Sequence, residues 1–326
     1  MSLQNIKAEA GRWAVRPKAG LPTIGLVNLM PDAAFAATEA QFHGLLTAAS
    51  GEPGLHLELF TLPELTRKGA VLADARRRYR SAHDLSGGWL DGIIVTGTEP
   101  KQADLRSEAY WPGLARIVDW AAGNTRSAVF SCLAAHAAVL HLDGISRRKM
   151  SRKLTGLMVC NKTAPHWATD GLPDQWLTPH SRWNDLSESE LARHGYQLTS
   201  HAQGAGADQF VKSVGSQFVF MQGHPEYAGD ALLKEYRRDV RRFLAGETES
   251  YPQVPLNLFD APLAAEFEVV AASARHTRDP ELLKTVSHLL SAAPNTASWR
   301  GQAVQFYRNW LGVLGAKTRA ELVMGL

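Results

Sequence analysis

The chain has 326 residues, of which 45% are hydrophobic and 21% are charged, as is usual for a globular protein with a sizeable core. Its 35 basic and 32 acidic residues give a net charge of +3, a surplus too small to indicate nucleic-acid binding. Only two cysteines are present, which excludes a disulfide framework and favours a reducing compartment, so we expect a cytoplasmic protein. We expect neither a secretory signal nor a membrane segment, because no sufficiently long apolar run occurs.

The first 131 residues alternate between apolar and amphipathic segments after a polar lead-in over residues 1–20. This pattern predicts buried strands at 23–30, 55–60, 92–97 and 128–131, separated by helices at 38–49 and 111–122. Strands that alternate with helices predict a doubly wound, mostly parallel α/β sheet. In such sheets the ligand crevice lies at the carboxyl ends of the strands.

The second half of the chain has a different composition. Residues 145–215 are expected to be rich in loops and to cap the sheet, and 218–221 form one more apolar strand-like run. Residues 261–293 are rich in alanine and leucine and predict helix. We therefore predict a catalytic α/β domain over 21–255 and a helical C-terminal extension over 256–326.

A cysteine and a His-Pro-Glu motif each follow a predicted strand. Cys132 lies between an apolar run and a helix-like run of small residues, and His224 and Glu226 follow the strand at 218–221. A helix N-terminus lowers the pKa of a thiol and offers backbone N–H groups to an oxyanion. A histidine can act as the base, and a carboxylate can orient its ring. Although a lone cysteine is more often a core residue, the combination predicts a Cys-His-Glu nucleophilic site.

Several short motifs occur in a fixed order from about residue 20 onward. They include Asn-Leu-Met-Pro at 28–31, Val-Thr-Gly at 95–97, Ala-Tyr-Trp-Pro at 109–112, Pro-His-Ser-Arg at 179–182 and Gly-His-Pro-Glu-Tyr at 223–227. Together they resemble the homoserine O-succinyltransferase family, the MetA type of homoserine O-acyltransferases. The resemblance implies a fold like that of class I glutamine amidotransferases. It also implies transfer of an acyl group from acyl-CoA to the hydroxyl of L-homoserine through a cysteine thioester.

The resemblance also implies roles for individual residues. By matching position, Cys132 is the nucleophile, His224 the proton acceptor and Glu226 its partner. Three further residues fall where the family has substrate-binding residues: Lys153, Ser181 and Arg238. The implied partners are small molecules, L-homoserine and acyl-CoA as co-substrate, with succinyl-CoA favoured over acetyl-CoA. We expect no bound cofactor, no metal, no nucleic acid and no membrane, and we expect a homodimer.

The chain departs from the family pattern at four places. Asp32 and two alanines follow Asn-Leu-Met-Pro where the family has lysine, and Leu133 follows the cysteine in place of tryptophan. Residues 258–293 resemble an insertion. Lys101 stands where a glycine or glutamate tracks with acyl-donor choice. Its ammonium would attract the free carboxylate of a succinyl group. If the aliphatic part of the Lys101 side chain filled the pocket instead, only an acetyl group would fit.

The sequence leaves several functions open. The donor could be acetyl-CoA, and the acceptor could be serine or another hydroxy amino acid. A glutamine amidotransferase also uses Cys, His and Glu, but its Gly-x-Cys-x-Gly elbow is absent, because Ser131 and Ala134 stand beside the cysteine. A non-catalytic binding protein of the same fold is the remaining alternative, and the intact Cys-His-Glu set disfavours it.

Overall fold

The protein is described here from a computed structural model, which covers residues 21–52 and 54–315. Its strands are β1 (Thr23–Val27), β2 (His56–Thr61), β3 (Arg80–Ser81), β4 (Leu90–Val95), β5 (Thr125–Ser131), β6 (Arg148–Lys162), β7 (Gln175–Asp185), β8 (Gln197–Ala202), β9 (Gly206–Val214) and β10 (Ser216–Met221). Its helices are α1 (Asp32–Ser50), α2 (Gly69–Arg78), α3 (Trp111–Asn124), α4 (Leu133–Asp143), α5 (Glu188–Arg193), α6 (Ala231–Leu244), α7 (Ala261–Thr277), α8 (Leu282–Ala292) and α9 (Arg300–Gly315).

All ten of these strands lie in one sheet, in the order β3-β2-β1-β4-β5-β10-β9-β8-β6-β7. The first six strands in that order pair in parallel, and the remaining pairs are antiparallel. From β1 the chain winds outward through β2 to β3 and then returns through β4 to β5 on the other side. This order confirms the predicted doubly wound, mostly parallel α/β fold.

The central parallel strands β1, β4, β5 and β10 are largely buried on both faces, as expected for a sheet covered by helices on two sides. Successive residues point to opposite faces, so Ile93 and Val95 pack in the core under α3 and α4, whereas Ile94 packs in the core under α1 and α9. This double burial explains why these strands are visible in the sequence as continuous apolar runs.

Residues 145–215 form strands β6 to β9 where loops were expected, so that prediction was wrong. The physical reason lies in β6, whose first half is largely exposed and carries charged side chains such as Arg148 and Arg152. A strand with little burial lacks the apolar alternation that marks a strand in a sequence. These strands extend the sheet beyond β10.

The residues after 256 are helical, as predicted, but they pack in two places. Helices α7 and α8 form a separate apolar core with α6, which includes Phe267, Val286 and Val240. Helix α9 packs against the sheet, where Trp310 Nε1 donates to Ser127 Oγ at 2.9 Å. The domain boundary after residue 255 stays a prediction, and the expected lead-in over 1–20 lies outside the described residues. Among the described helices, none is long and apolar enough to cross a membrane.

Candidate active site

Cys132 lies at a sharp turn between β5 and α4. Its φ of 51° is in the left-handed region, which a residue with a side chain seldom adopts. Such a conformation costs about 1–3 kcal/mol and persists only where the surroundings impose it. Here the Cys132 N–H donates to the carbonyl of Met221 at 2.7 Å, which ties the turn to the neighbouring strand β10. The thiol is therefore held, half-buried, at the carboxyl end of the parallel sheet.

The loop that follows β4 passes directly beside this turn. A Cβ on Gly97 would lie 3.1 Å from the backbone nitrogen of Leu133 and 3.4 Å from the carbonyl oxygen of Ser131. Only a glycine fits such a close approach without a shift of backbone. Leu133 is in the first turn of α4, where N–H groups have no partner within the helix and can bind an anion.

His224 and Glu226 follow β10, which pairs with β5 in parallel. The N–H of His224 donates to the carbonyl of Pro179 at 2.7 Å, and its ring stacks on Tyr227 with centroids 4.3 Å apart. Nδ1 of His224 hydrogen-bonds to Oε1 of Glu226 at 2.8 Å. Glu226 is buried and also accepts from Ser131 Oγ at 3.4 Å. The ring is therefore held by two contacts, the Tyr227 ring and the Glu226 carboxylate.

The three residues are coupled electrostatically. Burial lowers the pKa of His224, but the neighbouring Cys132 and Glu226 outweigh burial and raise it well above its ordinary value. The Cys132 thiol therefore lies close enough to the imidazole to raise its pKa. A histidine that holds its proton beside a thiol favours an imidazolium–thiolate pair, the reactive form of such a dyad.

A second group of side chains gathers around Glu235 on α6. Tyr227, which stacks on His224, donates its hydroxyl to Glu235 Oε1 at 2.6 Å. The Ser181 hydroxyl donates to the other carboxylate oxygen, and Lys153 Nζ lies 3.3 Å from that same oxygen. Glu235 therefore links residues of β6, β7 and α6 to the histidine of the first group.

Arg238 and Asp239 complete this second group. Arg238 Nη2 lies 2.8 Å from Asp239 Oδ1, and Lys153 Nζ lies 2.7 Å from Asp239 Oδ2. Burial raises the pKa of Glu235, but Lys153, Arg238 and the two hydroxyl donors outweigh it and lower that pKa to about 2. The group thus presents two cations and two carboxylates side by side.

Six of the seven predicted site residues are therefore brought together in two linked groups. Lys101 is the exception. Its backbone N–H donates to Glu108 Oε1 while its side chain is exposed. Within the described ranges, no hydrogen bond joins its ammonium to Cys132, His224 or the Glu235 group.

Glu235 and Asp239 were missed in the sequence. The available signal was their spacing, since Glu235 lies three residues before Arg238 and so shares its face of α6. An acidic residue at that spacing from a proposed substrate-binding arginine could have been identified as its partner.

Cys160, His180 and Asp208 form a buried cluster whose ligand atoms lie within 4.8 Å of one another, which is close enough to hold a metal ion. Arg182 Nε donates to His180 Nδ1 at 3.3 Å, and His180 Nε2 lies 3.0 Å from Asp208. An imidazole that accepts at Nδ1 carries its proton on Nε2, so it cannot offer that nitrogen to a metal. The cluster is therefore a hydrogen-bond network.

Comparison with known proteins identifies the same family as the motifs. The family model for homoserine O-succinyltransferase matches residues 3–320. A homoserine O-succinyltransferase of Rhodopseudomonas palustris is 44% identical over 288 residues, which are 88% of this chain and 86% of that protein. One of Bradyrhizobium japonicum is 43% identical over 293 residues, 90% of each chain.

Solved structures with a similar fold include two glutamine amidotransferases. That of Methylobacillus flagellatus is 11% identical with a TM-score of 0.48, over 92% of this chain and 97% of that chain. That of Thermotoga maritima is 11% identical with a TM-score of 0.46, over 83% and 96%.

The chain is a doubly wound α/β protein with a Cys-His-Glu cluster at the carboxyl edge of its parallel strands. It belongs to the homoserine O-succinyltransferase family, as its motifs indicated.

Proposed function

We propose that this protein transfers a succinyl group from succinyl-CoA to the hydroxyl of L-homoserine, through a thioester on Cys132. The observation that carries the proposal is the His224 ring, whose Nδ1 hydrogen-bonds to Glu226 at 2.8 Å and whose pKa is raised by the neighbouring Cys132. Membership of the family supports the reaction type, and its named relatives are acyltransferases. This makes acyl transfer the function that best fits both the geometry and the ancestry.

In the first half-reaction the Cys132 thiolate attacks the thioester carbonyl of the acyl-CoA. The oxyanion that forms lies at the start of α4, where the Leu133 N–H is available as a donor. When the intermediate collapses, the CoA thiolate leaves and takes the proton of the His224 imidazolium. The products are the acyl-enzyme, free CoA thiol and a neutral His224.

In the second half-reaction neutral His224 accepts the hydroxyl proton of the acceptor as its oxygen attacks the acyl-enzyme carbonyl. The Cys132 thiolate is then the leaving group, and the imidazolium–thiolate pair is restored. Glu226 holds Nδ1 throughout, so the ring keeps its other nitrogen toward the reacting atoms.

The residues around Glu235 are proposed to bind the acceptor, because their charges are complementary to those of a free amino acid. We call Lys153, Ser181, Glu235, Arg238 and Asp239 the acceptor group. Arg238 and Lys153 supply positive charge for the carboxylate, and an arginine can bind it bidentately. Glu235 and Asp239 supply negative charge for the ammonium. Ser181 orients Glu235 through its hydroxyl. Hydrogen bonds to charged groups contribute about 1.5–3 kcal/mol each, so this match discriminates strongly for a zwitterion.

Lys101 is proposed to set the acyl donor. We also propose that acyl-CoA is used as a co-substrate without a resident cofactor or metal, and that the protein works as a cytoplasmic homodimer with small-molecule substrates alone. Membership of the family supports acyl-CoA and small-molecule substrates.

The test is a steady-state assay of thiol release, with succinyl-CoA or acetyl-CoA as donor and L-homoserine or L-serine as acceptor. We expect the highest kcat/KM for succinyl-CoA with L-homoserine and a product of the mass of O-succinylhomoserine. A higher kcat/KM with acetyl-CoA or with L-serine would assign the alternative donor or acceptor. Release of ammonia from glutamine without acyl transfer would overturn the proposal.

A further inference from the structure

The segment 97–104, which we call the donor loop, connects β4 to the short helical turn Leu105–Ser107 and carries Lys101. Its first residue, Gly97, lies against the backbone of Leu133 beside the nucleophile. Further along, Glu99 forms an ion pair with Arg242 of α6 at 3.1 Å. The donor loop thus borders both the thiol and the helix that carries the acceptor group.

Glu108 holds the middle of the donor loop from one side. This carboxylate is only 7% exposed. Its Oε1 accepts the backbone N–H of Gln102 at 2.6 Å and that of Lys101. Two backbone donors on one ionised acceptor form strong hydrogen bonds, so the peptide planes on either side of Lys101 have a defined orientation.

Arg147 holds the same part of the loop from the other side. It lies just after α4, and its Nη2 donates to the carbonyls of Gln102 and Ala103, both at 3.1 Å. The peptide groups of Gln102 are therefore bound through their N–H by a carboxylate and through their C=O by a guanidinium. We call Glu108 and Arg147 the loop clamp.

The loop clamp lies close to the nucleophile. Burial lowers the pKa of Arg147, and the neighbouring Glu108 and Cys132 act against that lowering. Nη1 of Arg147 is buried and has no hydrogen-bond partner among the described residues, whereas both hydrogen bonds of Nη2 go to the donor loop. We therefore assign Arg147 to the loop.

We propose that Glu108 and Arg147 are positioning residues that determine which acyl donor is used, because they hold the loop that presents Lys101. This inference rests on the proposed function. A displacement of about 1 Å in a positioning element can change a rate by about a hundredfold. Loss of either clamp residue would let Lys101 move relative to Cys132, while the acceptor group on α6, β6 and β7 keeps its own contacts.

The experiment compares wild type with Glu108→Gln, Arg147→Gln and Arg147→Lys. Arg148→Gln is the matched control, because Arg148 is the adjacent arginine, is 59% exposed and pairs with Asp185 away from the loop. For each variant the ratio of kcat/KM for succinyl-CoA to that for acetyl-CoA is measured, together with KM for L-homoserine. Deuterium exchange across residues 97–104 reports the loop itself.

We expect the donor ratio to change about tenfold or more in Arg147→Gln and Glu108→Gln, with KM for L-homoserine nearly unchanged. Exchange across 97–104 should rise in both variants and stay at the wild-type level in Arg148→Gln. Arg147→Lys should recover part of the ratio, since a lysine keeps the charge but lacks the planar fork of donors.

Three results would overturn the inference alone: a donor ratio unchanged in Arg147→Gln, equal losses for donor and acceptor, or unchanged exchange across 97–104. A wild type that is acylated by neither CoA donor would instead overturn the proposed function, and this inference with it. Wild-type acylation is measured first, so the two failures are distinguishable.

Discussion

The nucleophile group and the acceptor group are built in different ways. Cys132, His224 and Glu226 are placed by backbone, at the ends of the adjacent parallel strands β5 and β10. The acceptor group is gathered by side chains from β6, β7 and α6 around the half-buried carboxylate of Glu235. One group is a single unit imposed by the fold, and the other is a set of charge pairs that we propose to exchange partners with the acceptor.

Because of this difference, mutations in the two groups should affect activity differently. Residues that act as one chemical unit lose nearly all activity when any central member is removed. Residues that share the binding of a zwitterion each contribute part of the affinity, so their loss should be graded and confined to one substrate. Mutations can therefore separate the two groups.

The largest effect is expected for Cys132→Ala. Because the thiol forms the acyl-enzyme, acyl transfer should fall by several orders of magnitude while the thermal unfolding midpoint stays close to that of wild type. Cys160→Ala is the matched control, since Cys160 is buried outside the nucleophile group. Near-normal turnover in a folded Cys132→Ala protein would contradict the mechanism.

His224→Ala should be almost as damaging as Cys132→Ala, and Glu226→Gln less so. The ring nitrogen carries the proton in both half-reactions, whereas Glu226 orients the ring at 2.8 Å. The measurement is single-turnover acylation and deacylation at neutral pH. If His224→Ala retained most of its activity, the base would have to be a different residue.

Arg238→Ala tests the acceptor group. We expect KM for L-homoserine to rise by roughly ten- to a hundredfold, since a charge-assisted pair contributes about 1.5–3 kcal/mol. Acyl-enzyme formation should remain near normal, because the acceptor's carboxylate is absent from that step. Burst-phase thiol release with and without L-homoserine separates the two. Equal damage to both half-reactions would make Arg238 structural.

Lys101→Glu should give a smaller change, confined to the donor. A glutamate would repel the free carboxylate of a succinyl group, so the preference for succinyl-CoA over acetyl-CoA should fall by about tenfold, or about 1.4 kcal/mol. Lys101→Gln removes the charge without reversal and should lie between the two. A wild-type preference for acetyl-CoA, or the same ratio in all three proteins, would discard this role.

The smallest expected effect is on stability. The pKa of His224 is raised above its ordinary 6.5, despite burial, by Cys132 and Glu226. A raised pKa stabilises the fold fully below pH 6.5, and this stabilisation is lost as pH rises through the folded-state pKa. Glu226→Gln removes one cause of the raised pKa. The free energy of unfolding of this variant should therefore fall less with rising pH than that of wild type, by about 1.4 kcal/mol per unit of lost pKa shift. Urea unfolding from pH 6 to 9 measures it, and parallel trends would contradict the pairing.

The nucleophile group was predictable because its signals are local. A buried parallel strand gives a continuous apolar run, and both Cys132 and His224 come directly after such runs. Spacing could have indicated the Glu235–Arg238 pair on α6 but not the rest of the acceptor group, since Lys153 and Glu235 lie 82 residues apart, and Ser181 and Glu235 lie 54 apart. Only the family motifs indicated Lys153, Ser181 and Arg238.

The strands β6 to β9 and the loop clamp were also hidden in the sequence. The first half of β6 is largely exposed and charged and so lacks an apolar pattern, and residues 145–215 were therefore expected to be rich in loops. Glu108 and Arg147 both hydrogen-bond to the backbone of Gln102, and no side-chain pattern in the sequence indicates such contacts. Both features depend on backbone hydrogen bonds that form only in the folded chain, so the sequence alone could not indicate them.

Acylation of Cys132 is tested most directly by intact-protein mass spectrometry after incubation with succinyl-CoA and no acceptor. We expect one covalent adduct of the mass of a succinyl group on Cys132, absent in Cys132→Ala and removed when L-homoserine is added. An unmodified wild-type protein that still produced O-succinylhomoserine, or an adduct that persisted in Cys132→Ala, would contradict a Cys132 acyl-enzyme.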